Sequence, residues 1–285
     1  MYKQIFSAKL ICIGTALVTG LAAQVSTADT VTVGKAWPAN QRVSIDQIGH
    51  APFSELLTQY VDNSGRVDYT GWKAAPNAQQ SLTHYLESLS RAELSSPASR
   101  EAKLAFWINA YNALTIHGIL REYPTSSIRN HTPRLFGYNI WDDLQLVVGD
   151  QQFSLNQIEH EILRKMDEHR IHFAIVCASI GCPRLLNEAY TADRLEVQLT
   201  DNSQNFFADP NRFQADEDGA KLSVSPILLW FGKDFGATPE ERMQTIAPYL
   251  PNAAARELAT SGKAKLAFLD YDWDLNDQAT AKEKD

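Results

Sequence analysis

The stretch EAKLAFWINAYNALTIHGILREYP, residues 101–124, sets the tightest limit on how this chain folds. Its apolar side chains, Leu104, Phe106, Trp107, Ile108, Leu114, Ile116 and Ile119 among them, point in nearly every direction around a helical wheel. A surface helix keeps one wet face, and this one has none. The pattern therefore predicts a long central helix covered on all sides and closed by Pro124.

The flanking segments supply the cover. From Pro52 the spacing of Phe53, Leu56, Leu57 and Tyr60 predicts a helix, then a turn at Asn63-Ser64-Gly65 and a short strand. A second helix runs from Ser81 to Leu89. LQLVVGDQQFSL alternates around Gly149-Asp150, a hairpin signal. Ser154 with Gln157 has capping-box spacing at the head of a helix reaching Met166. HFAIV, residues 172–176, reads as a strand, TADRLEVQLTDNSQNFFAD as a helix, KLSVSPILLWFG as a strand running into an aromatic turn, and TPEERMQTIAPYL as another helix. The closing KLAFLDYDWDLN alternates Ala267, Leu269, Tyr271 and Trp273 against Phe268, Asp270, Asp272 and Asp274, a strand with one wet face. Without repeats, linkers or strict βα alternation, the expectation is one α+β domain over residues 45–277. In it a central buried helix packs on a mostly antiparallel sheet, after an extended lead-in (29–44) and before a disordered tail (278–285).

The start of the chain bears on location. Lys3 and Lys9 precede an apolar run from Leu10 to Ala23, and Ser26-Thr27-Ala28 offers small residues for cleavage. This predicts a signal peptide of residues 1–28 and a periplasmic or secreted protein. A membrane anchor fits less well, because Gly14, Thr15, Thr19 and Gly20 interrupt a short run. Losing two lysines and no acids moves the formal charge from −8 to −10. An acidic chain with no basic cluster argues against nucleic acid and anionic lipid, and no other stretch is apolar enough for stable membrane insertion after cleavage. A small-molecule or peptide-like substrate is the remaining partner class.

Beyond the leader, Cys177 and Cys182 are the only cysteines, one at each end of CASIGC. Three readings stay open: a disulfide closing a small loop, a reactive thiol held by loop amides, or packing. Alternation along a strand would put His172 and Cys177 on opposite faces. No second Cys/His pair has zinc spacing, and neither metal nor cofactor is expected. On the helix after Ser154, Glu159 falls at the centre of the stripe of Leu155, Ile158, Ile162 and Met166, with His160 at its border. A buried carboxylate must be paired or protonated. The structural alternative is a satisfied Glu159 beside an exposed His160. Asn109 and Asn112 share a face of the central helix, either to fasten loops or to orient a catalytic group.

FWINAYNALTIHGIL, SLNQIEHEILR, HFAIVCASIGCPRL and YDWDLND occur in this order, with LLTQYVDNSGRVDY before them. Together they resemble the family called domain of unknown function 547, over about Phe53 to Asp277. The resemblance implies exported bacterial members, plant members with the domain at the C-terminus, and no settled activity. Plant relatives look as though they carry serine at the position of Cys182, which would make Cys177 the more general thiol. The leading expectation is a thiol-dependent hydrolase or acyl transferase acting on an amide or ester. Cys177 would be the nucleophile, His160 the base, Glu159 the orienting acid and Asn109 a polar support. The alternative is a non-catalytic binding or assembly domain with a structural Cys177–Cys182 pair.

Overall fold

The computed structural model describes residues 30–132 and 138–282; the leader, its cleavage point and part of the loop after Pro124 lie outside them. Strand β1 (Val31–Val33) is followed by helices α1 (Ala51–Tyr60), α2 (Tyr69–Lys73) and α3 (Pro76–Leu89). Helix α4 (Arg100–Glu122) is the central helix, opened by the Ser99 hydroxyl accepting the Ala102 N–H. Every residue from Leu104 to Ile116 is buried. Helix α3 and the second strand, β2 (Leu144–Val148), pack against it, as does the turn that follows Gln157. The all-round apolar wheel thus has its physical counterpart in partners on several sides.

The α+β expectation holds, with the strands divided into two small sheets. In the first, β2 pairs antiparallel with β3 (Gln151–Ser154) through the Gly149-Asp150 turn, and parallel with β1. Next come a one-turn helix, α5 (Leu155–Gln157), and the longer α6 (Leu195–Ala208). The second sheet pairs β4 (Phe213–Asp216) antiparallel with β5 (Lys221–Val224), and β5 parallel with β6 (Lys265–Phe268). Each sheet is therefore mixed rather than mostly antiparallel. Helices α7 (Ile227–Trp230), α8 (Gly232–Phe235), α9 (Pro239–Ile246) and α10 (Ala253–Thr260) surround the second sheet's core of Phe206, Phe207, Val224 and Met243. Among the described residues no helix is long and apolar enough to cross a membrane.

HFAIV is not a strand. His169–Phe173 forms a 3₁₀ turn and the chain then runs on without a sheet partner. Side-chain amides take the place of a ladder. Asn112 donates to the Ala174 carbonyl at 3.0 Å and accepts the Val176 N–H at 2.9 Å, while Asn202 donates to Phe173 O. A short apolar run buried between helices has the same composition as a buried strand, so periodicity does not separate the two. Similarly, β6 ends at Phe268 although the alternation continues, because the chain leaves the sheet to cross the loop at 177–182. The segment after Asp277, expected to be disordered, starts a short helix at Gln278, whose side chain donates to Tyr60 O and Arg66 O.

Candidate functional site

The loop from Cys177 to Cys182 is held from two sides. Asn112 on α4 fixes its entry. The closing motif fixes its body: Ile180 N–H donates to Asp274 O at 2.8 Å, Gly181 N–H to Asp272 O at 2.8 Å, and Asn276 N–H to Ala178 O at 3.1 Å. A Cβ at Gly181 would lie 2.9 Å from Asp272 O, so this close approach requires glycine. Ala178 adopts φ +58°, a left-handed conformation that strains a residue with a Cβ. Hydrogen bonds on both sides hold it there.

The two thiols are free and share one polar cluster. The Cys182 sulfur accepts the Cys177 backbone N–H at 3.0 Å, the Tyr271 hydroxyl at 3.2 Å and the Ser179 hydroxyl at 3.4 Å. Burial opposes charge on this sulfur, but the hydrogen bonds from Cys177, Ser179 and Tyr271 outweigh it and pull its pKa down to about 6. The Cys177 thiol is driven the other way by its contact with Cys182 and by burial. A backbone N–H can only donate, so the Cys177 amide lowers the Cys182 pKa relative to that of Cys177.

Both thiols open on a cavity of about 250 Å³ with an aromatic wall. Trp230, Tyr271 and Trp273 pack on one another with ring centres 4.6–5.6 Å apart. Glu159 and His160 reach the same cavity from a π turn, Ile158–Ile162, that replaces the expected regular helix beyond the Ser154–Gln157 capping box. Such widened turns recur at functional sites because they redirect neighbouring side chains. Glu159 is 8% exposed, and among the described residues its carboxyl accepts a hydrogen bond from the Tyr111 hydroxyl alone, at 3.3 Å. Burial raises its pKa to about 7, against the smaller opposing pull of Tyr111 and Arg164.

The imidazoles are engaged elsewhere. His160 Nδ1 accepts from Arg164 at 2.9 Å, which leaves its proton on Nε2. His172 lines the cavity after all, since the chain there is not a strand, and its Nε2 bonds Asp234 at 2.8 Å. Arg164 grips the same carboxylate with two N–H groups at 2.5 and 2.8 Å. Asp234 is thereby held well below its ordinary range although burial works against this, and burial lowers both histidines. Among the described residues no histidine hydrogen-bonds a thiol, so the expected Cys177–His160 contact is not formed. Asn109 lies away from the cavity: it clasps Tyr190, donating to its carbonyl at 2.8 Å and accepting its N–H at 2.9 Å. Of the expected site residues, the fold thus gathers Cys177, Glu159 and His160 but not Asn109. Sequence reasoning missed Tyr271, Trp230 and Asp234, and did not anticipate the hydrogen bonds that converge on the Cys182 sulfur. Tyr271 and Cys182 both stand inside the motifs, Tyr271 on an expected strand face and Cys182 at the far end of the thiol loop.

Residues 95–207 match the family model described as "Protein of unknown function, DUF547". This segment belongs to that family. The match spans α4, the hairpin, the π turn, the thiol loop and most of α6. It is narrower than the motif resemblance, leaving out the closing motif that supplies Tyr271 and Trp273. No curated protein and no solved structure matches the chain. Among the described residues no group of three or more His, Cys, Asp or Glu side chains is placed to hold a metal.

Proposed function

We propose that this DUF547 protein is an exported thiol-dependent hydrolase or acyl transferase for a small, largely apolar ester or amide, with Cys182 as its nucleophile. One observation carries the reading: a sulfur with three hydrogen-bond donors opens on the aromatic cavity that also holds a carboxyl titrating near 7. The Cys182 thiolate attacks the carbonyl carbon and forms a thioester. The C–O or C–N bond breaks, and the leaving alcohol or amine takes the Glu159 proton. Water or an acceptor then attacks the thioester and returns a proton to Glu159, regenerating the thiolate. Cys177 and Tyr271 position the sulfur. Export is supported by the leader pattern alone.

A second reading, a non-catalytic binding cavity, is favoured by the engagement of both imidazoles away from the thiols. Two measurements separate the readings. Iodoacetamide alkylation of Cys177→Ser should persist with a midpoint near pH 6–7 (the value of Cys182 is about 6), while Cys182→Ser should lose alkylation at that pH. Short-chain 4-nitrophenyl esters should be turned over by wild type and by neither Cys182→Ser nor Glu159→Gln. Turnover that survives in Cys182→Ser overturns the assignment, and alkylation without turnover of any acyl substrate favours the binding cavity.

A further inference from the structure

Cys182 and Pro183 also form part of the wall of a second cavity, on the other side of the loop, of about 340 Å³. Its character is opposite. Arg66 from the turn after α1, Arg184 just past the thiol loop and Arg212 just before β4 converge on it from three separate parts of the chain. Among the described residues Asp209 is the only carboxylate in its lining, and it pairs with Arg212 at 3.1 Å. Arg212 spends another N–H on Ile180 O at 3.0 Å. Arg184 is steered by Asn202, which accepts its Nε–H at 2.8 Å, and the Arg66 guanidinium donates to the Asp277 carbonyl at 3.4 Å. Among the described residues neither Arg66 nor Arg184 has a carboxylate at ion-pair distance. Burial, and to a smaller degree the neighbouring Arg66, depress the Arg212 pKa. In a chain of formal charge −8, such a gathering of under-compensated guanidinium groups is an arrangement that an anion would relieve. The adjoining hollow, which Arg66, Asp209 and Arg212 also line, adds Asp270 and Asp272 and lacks Arg184, so the three guanidinium groups meet only in the first cavity.

We infer that this cavity binds an oxyanion, the phosphate or carboxylate group of a small molecule, between Arg66, Arg184 and Arg212. The inference does not depend on thiol chemistry in the aromatic cavity. It does imply coupling, because an anion near the shared wall disfavours the Cys182 thiolate. Calorimetric titration of the full chain with inorganic phosphate, and separately with succinate, at matched ionic strength in sodium chloride, tests it. Saturable binding of either probe is expected, with phosphate alone assigning a phosphate site and succinate alone a carboxylate site. Arg66→Gln and Arg184→Gln should each weaken binding about tenfold or more, whereas Lys221→Gln, at an exposed lysine, should not. Melting curves establish that each variant is folded, and Arg184→Lys should restore part of the affinity if Arg184→Gln is unstable. No binding of either probe beyond chloride, or wild-type affinity in both Arg66→Gln and Arg184→Gln, overturns the inference.

Discussion

The loop 177–182 has two faces, and they treat charge in opposite ways. On the aromatic side, Glu159 sits with a single hydroxyl partner and burial raises its pKa to about 7. On the arginine side, fixed positive groups outnumber their carboxylate. Cys182 borders both cavities and takes its hydrogen bonds from the loop and Tyr271 between them. The contrast teaches that burial alone does not decide ionisation here: Glu159 and Cys182 are both buried, and the number of donors reaching each separates them.

The largest expected effect comes from breaking the support that both faces share. Asn112→Ala leaves the Ala174 carbonyl and the Val176 N–H unpaired in the core, and should cost roughly 2–5 kcal/mol in denaturant melts. It should also shift Cys182 alkylation. Asn109→Ala should cost a similar amount through Tyr190 while leaving the alkylation profile in place. Equal effects of the two variants on alkylation would mean that the thiol loop does not depend on the Asn112 clasp.

Next is pH. Glu159 has its folded pKa raised from 4.5 to about 7, so the folded chain holds a proton that the unfolded chain releases between those values. Its contribution to stability is complete below about pH 4.5 and is lost as pH rises toward 7, by roughly 2–4 kcal/mol. The stability of wild type relative to Glu159→Gln should fall by that amount between pH 4.5 and 8. A pH-independent difference would mean that Glu159 is solvated. Tyr271→Phe should act on the sulfur instead, removing one of its donors and raising the alkylation midpoint by about one pH unit, near 1.4 kcal/mol. The smallest effect belongs to Glu161→Gln on the exposed side of the π turn, within about 0.5 kcal/mol in melting. A larger loss would place Glu161 rather than Glu159 against the core.

Much of the frame was legible in the amino acids. The wheel of α4, the Gly149-Asp150 hairpin and the Ser154–Gln157 capping box depend on neighbours within a few positions, so local pattern suffices. Glu159 as a buried carboxylate followed from helical spacing, and the polar pair on α4 was recognised as needing partners. The 172–176 segment was illegible, because what replaces its ladder is the amide of Asn112, dozens of positions earlier in the chain. Its misreading as a strand also removed His172 from the cavity it lines.

What the sequence by itself determined is the α+β class, the covered central helix and the set of chemically capable side chains in the motifs. Tertiary structure alone decided which of them meet. It set Tyr271 against the thiols, drew Asn109 and His172 into structural bonds, and turned the charge of the cysteine pair toward Cys182. The physical reason is that ionisation and reactivity follow the donors and the solvent around an atom, and long-range contacts set both.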